Sequence, residues 1–143
     1  MIKEKELVLL KHLRQNSRRS IADLSKETKI PLSTLFDVLR RVESDYVVKY
    51  TSLIDFSKIG YGLRVNFIIK SRKKKELNEF LMKNPNVNSL CSLSGDSDLY
   101  AECVFKEMKE VIEFRENIQN IGIEKINEIF VVEEVKKEGF VLN

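Results

Sequence analysis

IADLSKETKIPLSTLFDVLRRVE, residues 21–43, decides how the first third of this chain folds. At 100° per residue, Leu35, Val38, Leu39 and Val42 fall in one stripe, the mark of a helix resting on a core. Ahead of it, Ser20 followed three residues later by Asp23 resembles a capping box, and Ile21, Leu24 and Ala22 supply the apolar side of a shorter helix. Pro31 ends that helix and suits the first turn of the next. The result is a tight helix, turn, helix. The outward side of the third helix gathers Ser33, Asp37 and Arg40, flanked by Thr34 and Arg41 on one side and by Phe36, an aromatic out of place, on the other. A face of that composition is a candidate contact surface.

Working outward, MIKEKELVLLKHLRQ reads as a first helix through Leu9, Leu10 and Leu13, helped by Val8 and stopping near Asn16 and Ser17. Its scattered charges make it an amphipathic helix and not a signal peptide, so a cytoplasmic protein is expected. After the third helix, YVVKYTSLIDF turns β-rich; a strand there would pack Val47 and Leu53 near the helices and leave Lys49 exposed, a small wing.

With 143 residues the chain folds as one ordinary domain or two small ones. A charged fraction of 33% and a hydrophobic fraction of 43% describe a soluble globular protein, and no apolar run approaches the roughly 18 residues of a membrane span. Cys91 and Cys103 form no CxxC, and His12 is the only histidine, so no metal site is expected. Reduced, buried cysteines are the expectation, with a disulfide open if their strands lie together. Charge is uneven: residues 1–50 hold 11 basic and 7 acidic side chains, the remainder 14 and 15. The positive balance sits where a polyanion would be met.

Beyond SKIGYG, residues 57–62, which reads as a hinge, one unit occurs twice. LRVNFIIK is a strand, KKKELNEFLMKNP a helix through Leu77, Phe80 and Leu81, and VNSLCSL a strand. SGDSD is a turn. LYAECVF is a strand, KEMKEVIEFRENIQNIG a helix through Met108, Val111, Ile112 and Ile118, and INEIFVVEEV a final strand. This βαββαβ order is the ferredoxin-like pattern, an antiparallel sheet with both helices on one face. Ile68, Leu90, Tyr100, Val104, Ile129 and Val131 are assigned to the face opposite Phe67, Cys91, Cys103 and Phe130. Two apolar faces imply a partner sheet, hence a homodimer. The expected architecture is therefore α+β: a winged helix-turn-helix over residues 1–55, a hinge over 56–62 and a ferredoxin-like domain over 63–143.

A helix-turn-helix of this kind lays its second helix in the major groove of double-stranded DNA. Ser33, Thr34, Phe36, Asp37, Arg40 and Arg41 are candidate groove contacts: arginine can read guanine O6 and N7, Phe36 a thymine methyl, and Asp37 cytosine N4. Arg18 and Arg19, before the second helix, are candidate phosphate clamps, and Lys49 lies on the wing.

IADLSKETKIPLSTLFDVLRRVE followed by YVVKYTSLIDFSKIGY resembles the DNA-binding half of the Lrp/AsnC transcription regulators, and SGDSDLY with VVEEVKK resembles their effector-binding RAM domain. The resemblance implies a homodimer or higher even-numbered homo-oligomer that binds gene-control DNA and is modulated by an amino acid. It further implies an effector site at the turn, with Ser94, Gly95 and Asp98 in the family's frame, Asp96 beside them, and Ser97 where the family often has an aromatic residue. Backbone amides at Gly95 would take the effector's carboxylate and Asp98 its ammonium. Two other classes compete. A sensor or assembly protein of the same fold without DNA binding is one, and SRKKKELNE is a basic run that such a protein could present. An enzyme like the haem-precursor decarboxylases of this fold is the other, but that chemistry wants histidine and arginine converging in a pocket. The second half offers no histidine and only Arg64, Arg72 and Arg115, so no catalytic residues are expected.

Overall fold

Leu9, Leu24, Ile30, Leu35, Val38 and Val42 close over one another as one core, and Val65, Phe67, Ile69, Leu77, Leu81, Leu99, Ala101, Cys103, Phe105, Val111, Phe114 and Ile118 close as a second. In the computed structural model, which describes residues 1–142, the chain accordingly divides into two compact units. One runs from Met1 to Leu53 and takes back the residues from Lys136 onward; the other is Ile54–Val135. The tail from Lys136 thus makes its contacts within the first unit. Arg14 of the first helix donates 3.0 Å hydrogen bonds both to the Glu138 carboxylate and to its backbone carbonyl.

The first unit holds α1 (Glu4–Gln15), α2 (Ile21–Thr28) and α3 (Leu32–Asp45). The Ser20 hydroxyl caps α2 by accepting from the Asp23 amide at 3.1 Å, which satisfies one of the helix's free N–H groups. Lys29 ends α2 in the left-handed conformation at φ +59°. The turn is tied by hydroxyls: Ser25 donates to the Ile30 carbonyl and Thr28 accepts from the Ile30 amide. Pro31 stands at the N-cap of α3, one residue before the first turn expected for it. A buried carboxylate joins α1 to α3. Glu6 accepts from the Lys3 amide at 2.8 Å, from Arg41 Nε at 3.1 Å and from the Tyr46 hydroxyl at 3.5 Å.

No wing forms among the described residues. Residues 47–55 contain no strand, and although Val47 packs against the first core and Lys49 is exposed, Leu53 is exposed too. Composition made this segment β-prone, but a strand needs a neighbour to satisfy its amides, and none pairs with it here.

In the second unit a short 3₁₀ turn (Phe56–Ile59), capped by Asp55 and closed by Gly60 at φ +92°, occupies the expected hinge. There follow β1 (Leu63–Lys70), α4 (Lys74–Lys83), β2 (Val87–Ser92), β3 (Leu99–Phe105), α5 (Met108–Ile121) and β4 (Lys125–Phe130). The sheet order is β2-β3-β1-β4, antiparallel throughout, as the ferredoxin-like pattern requires. Phe114 of α5 meets Phe67, Phe80 and Phe105 with ring centroids 5.0, 5.9 and 5.4 Å apart, distances at which offset aromatic pairs attract. Arg115 forks onto Glu128 at 2.9 and 2.7 Å, fixing α5 over β4.

Two expectations about the sheet are corrected. A bulge between Val87 and Ser89 shifts the alternation of β2, so Leu90 joins the helix-covered core and Cys91 opposes Tyr100 on the other face. An extra residue in one strand inverts every side chain beyond it. Hence Cys91 is an exposed thiol and Cys103 a buried one, not a buried pair. Burial pushes the Cys103 thiol up to about 12. The last strand stops at Phe130 rather than continuing to Val135, beyond one further bond from the Val131 amide to the Arg64 carbonyl; Val132 and Val135 project into solvent.

Candidate functional site

The outward face of α3 is built by default. Once Leu35, Val38 and Val42 are buried, helical geometry turns Ser33, Phe36, Asp37 and Arg40 to solvent. Phe36 is 49% exposed, an unusual position for an aromatic ring unless something covers it. Arg40 has no ion-pair partner among the described residues, so its five N–H donors face water. Thr34, half-buried, edges the same face.

The other proposed cations divide. Arg18 is exposed in the turn before α2, with only its backbone amide engaged, to Asn16 at 3.0 Å. Arg19 instead is ion-paired to Glu27 and lies against His12. His12 therefore belongs to a half-buried cluster, with 22% of its side chain exposed. Arg41 bonds Glu6, whose carboxyl is held below the usual carboxylate range first by the Lys3 amide and then, against the cost of burial, by Arg41. Arg19 and Arg41 are thus committed to the helix bundle. Lys49 is exposed beside Tyr50, whose hydroxyl donates to Glu43 at 2.8 Å and is pushed up to about 12 by burial and that bond. Sequence reasoning missed Glu6 and Tyr50. Glu6 had left a signal, a carboxylate three residues before Leu9 on the apolar stripe of α1; the partnership of Tyr50 with Glu43 left none.

The turn between β2 and β3 carries the other candidate site. Gly95 adopts φ +106°, the left-handed region glycine favours. Ser94, Gly95 and Asp96 are exposed, and a Cβ built on Gly95 would meet nothing within 4 Å. Asp98 is otherwise placed. Its carboxylate accepts from the Ser71 amide at 2.9 Å and pairs with Lys74 at 2.9 Å, while its own amide donates to the Ile69 carbonyl. Lys74 and then the Ser71 amide hold its carboxyl below the usual range. This side chain ties the turn to the end of β1 and the first turn of α4. Lys74 was not foreseen, since nothing in the spacing links it to residue 98.

The three arginines of the second unit do not converge: Arg64 pairs with Glu134, Arg72 with Glu124 and Arg115 with Glu128. No group of three or more metal-ligating side chains occurs among the described residues. No helix among them is long and apolar enough to cross a membrane.

The Lrp/AsnC ligand binding domain model matches residues 65–141. Over 142 residues the chain is 26% identical to an uncharacterised HTH-type transcriptional regulator of Pyrococcus abyssi, covering 96% of this chain and 97% of that protein. It is 26% identical over 133 residues to the HTH-type transcriptional regulator FL11 of Pyrococcus horikoshii, covering 90% and 88%. In fold it is similar to a transcriptional regulator of Neisseria meningitidis solved as its L-Met complex, with TM-score 0.85, 23% identity and coverage of 96% and 94%. An AsnC family transcriptional regulator of Agrobacterium tumefaciens superposes with TM-score 0.85 at 20% identity, covering 99% and 97%. The matched domain spans more than half of the sequence, and the curated relatives run the length of the chain: the protein belongs to the Lrp/AsnC family.

Proposed function

We propose that this protein is a sequence-specific DNA-binding transcriptional regulator whose α2 and α3 act as a helix-turn-helix. The observation that carries the reading is the outward face of α3, where Arg40 is unpaired and Phe36 uncovered while the neighbouring Arg41 is held by Glu6. Ser33, Thr34, Phe36, Asp37 and Arg40 are the base and groove contacts, with Arg40 reading guanine in bidentate fashion. Arg18 and Lys49 grip phosphate. Arg19 and Arg41 act as positioning residues, through Glu27 and Glu6. Two copies joined through the helix-free face of the sheet, where Ile68, Val104, Ile129 and Val131 lie, present two such helices to one duplex, as half-site recognition needs. The work is done in the cytoplasm, with duplex DNA and a second copy as partners, and involves no catalysis.

Selection from a pool of randomised duplexes, followed by mobility shift on the enriched sequence, tests this. An enriched sequence bound well above random DNA is expected; a pool that never converges, with no shift, sinks it.

A second reading is favoured by the exposed turn and by the L-Met complex of the Neisseria relative: a free amino acid binds at Ser94, Gly95 and Asp96. The Gly95 region supplies amides for its carboxylate. Asp96 is the free carboxylate for its ammonium, whereas Asp98 acts by holding the turn in place. Calorimetry against the common amino acids at millimolar concentration checks it; a hit lost in Asp96→Ala supports the site, and silence across the series removes it.

A further inference from the structure

One end of the second unit concentrates its positive charge. Between Ile54 and Val135 the sequence has 12 basic and 14 acidic side chains, yet six of the twelve, Lys70, Arg72, Lys73, Lys74, Lys75 and Lys125, meet where β1 ends, α4 begins and β4 starts. All six are exposed. Lys70 and Lys125 are direct cross-strand partners, a like-charge pairing that weakens a sheet. The Lys73 side chain lies beside Gly122 at the end of α5. The carboxylates that meet this end are already shared: Glu124 serves Lys70 and Arg72, and Asp98 serves Lys74. Lys75 and Lys125 have no ion pair among the described residues.

A fold that places lysines opposite one another carries repulsion that a polyanion would relieve. We infer that this end of the second unit, centred on Lys73, Lys75 and Lys125, is a second DNA contact, one that grips the phosphate backbone without reading bases. Exposed lysines are point charges on flexible stems, suited to phosphate and not to the planar bidentate reading that arginine performs. The inference rests on the proposed DNA binding and extends it: affinity depends on duplex length as well as on sequence. Its signature is salt dependence, since each phosphate neutralised contributes about 0.9 to the slope of log K against log salt.

The test uses the full-length protein and a long duplex carrying the selected sequence within random flanks. For Lys75→Gln with Lys125→Gln the slope is expected to fall by about 2, and for Lys75→Gln alone by about 1, with a melting temperature that does not fall in either variant and rises where the Lys125 charge facing Lys70 is removed. Wild-type binding with an unaltered slope in the double variant overturns this contact and leaves the proposed function standing. A wild type that binds no duplex removes both. Sedimentation with vesicles of phosphatidylglycerol and phosphatidylcholine is the second arm: a variant that loses vesicles but keeps the long-duplex slope assigns the surface to membranes and overturns the inference.

Discussion

The face of α3 and the SGDSD turn contain the same kinds of residue and use them in opposite proportions. On α3 most of the polar side chains point at water, and the one cation that turns aside, Arg41, meets a buried carboxylate. At the turn the side chain with the most chemistry, Asp98, is occupied by Ser71 and Lys74, and what remains free is Ser94, the Gly95 backbone and Asp96. Residue type names candidates for a site; the partner each one has acquired decides between recognition and scaffold.

The largest effect that would break this contrast lies in the sheet. If the helix-free face carries the second copy, Ile129→Asp places an unpaired charge in the interface at a cost of several kcal/mol in dimerisation. Analytical ultracentrifugation should show a wild-type dimer and a dissociated variant; a wild-type monomer refutes the assembly. Next come the two neighbouring arginines. Arg40→Ala should cost about 1–3 kcal/mol on the selected sequence with no loss of melting temperature. Arg41→Ala should lower the melting temperature, because Glu6 is then buried without its cation. If both variants lose DNA equally and melt alike, the division is wrong.

Acid sharpens the comparison with a smaller effect. The carboxyls of Glu6 and Asp98 lie below their ordinary values in the folded protein. Their contribution is therefore complete above the unfolded values of about 4.3 and 3.9 and drains away as pH falls through the lower native ones. Thermal melts between neutral pH and acid should lose stability in that window, and Glu6→Gln and Asp98→Asn should each flatten the loss while starting lower. Smallest is the turn itself: Asp96→Ala should leave melting unchanged and affect only amino-acid binding, whereas Asp98→Ala should disturb both.

Much of the fold was legible because it rests on periodicity. The strand at Leu63–Lys70 and that at Leu99–Phe105 coincide with the alternating segments read from sequence, and Ser20 caps where its spacing to Asp23 predicted. What escaped was long-range or geometric. The bulge that turns Leu90 inward and Cys91 outward adds one residue to a strand, which composition cannot register. The wing lacked a pairing partner, a condition no local sequence records. The return of the tail to α1 depends on Arg14 meeting Glu138 across more than a hundred residues. In the candidate site the α3 face followed from helical geometry, but the commitments of Arg19, Arg41 and Asp98 to Glu27, Glu6 and Lys74 emerge only from the packed chain.

The measurement that bears most directly on the central claim is the ratio of affinities for the selected sequence and for random duplex, at one salt concentration, in wild type and Arg40→Ala. If the outward face of α3 reads bases, the ratio falls about 5- to 150-fold in the variant while random-duplex affinity barely moves, matching one lost bidentate contact of about 1–3 kcal/mol. Equal losses on both duplexes, or an unchanged ratio, would contradict base reading by Arg40 and with it the account of this face.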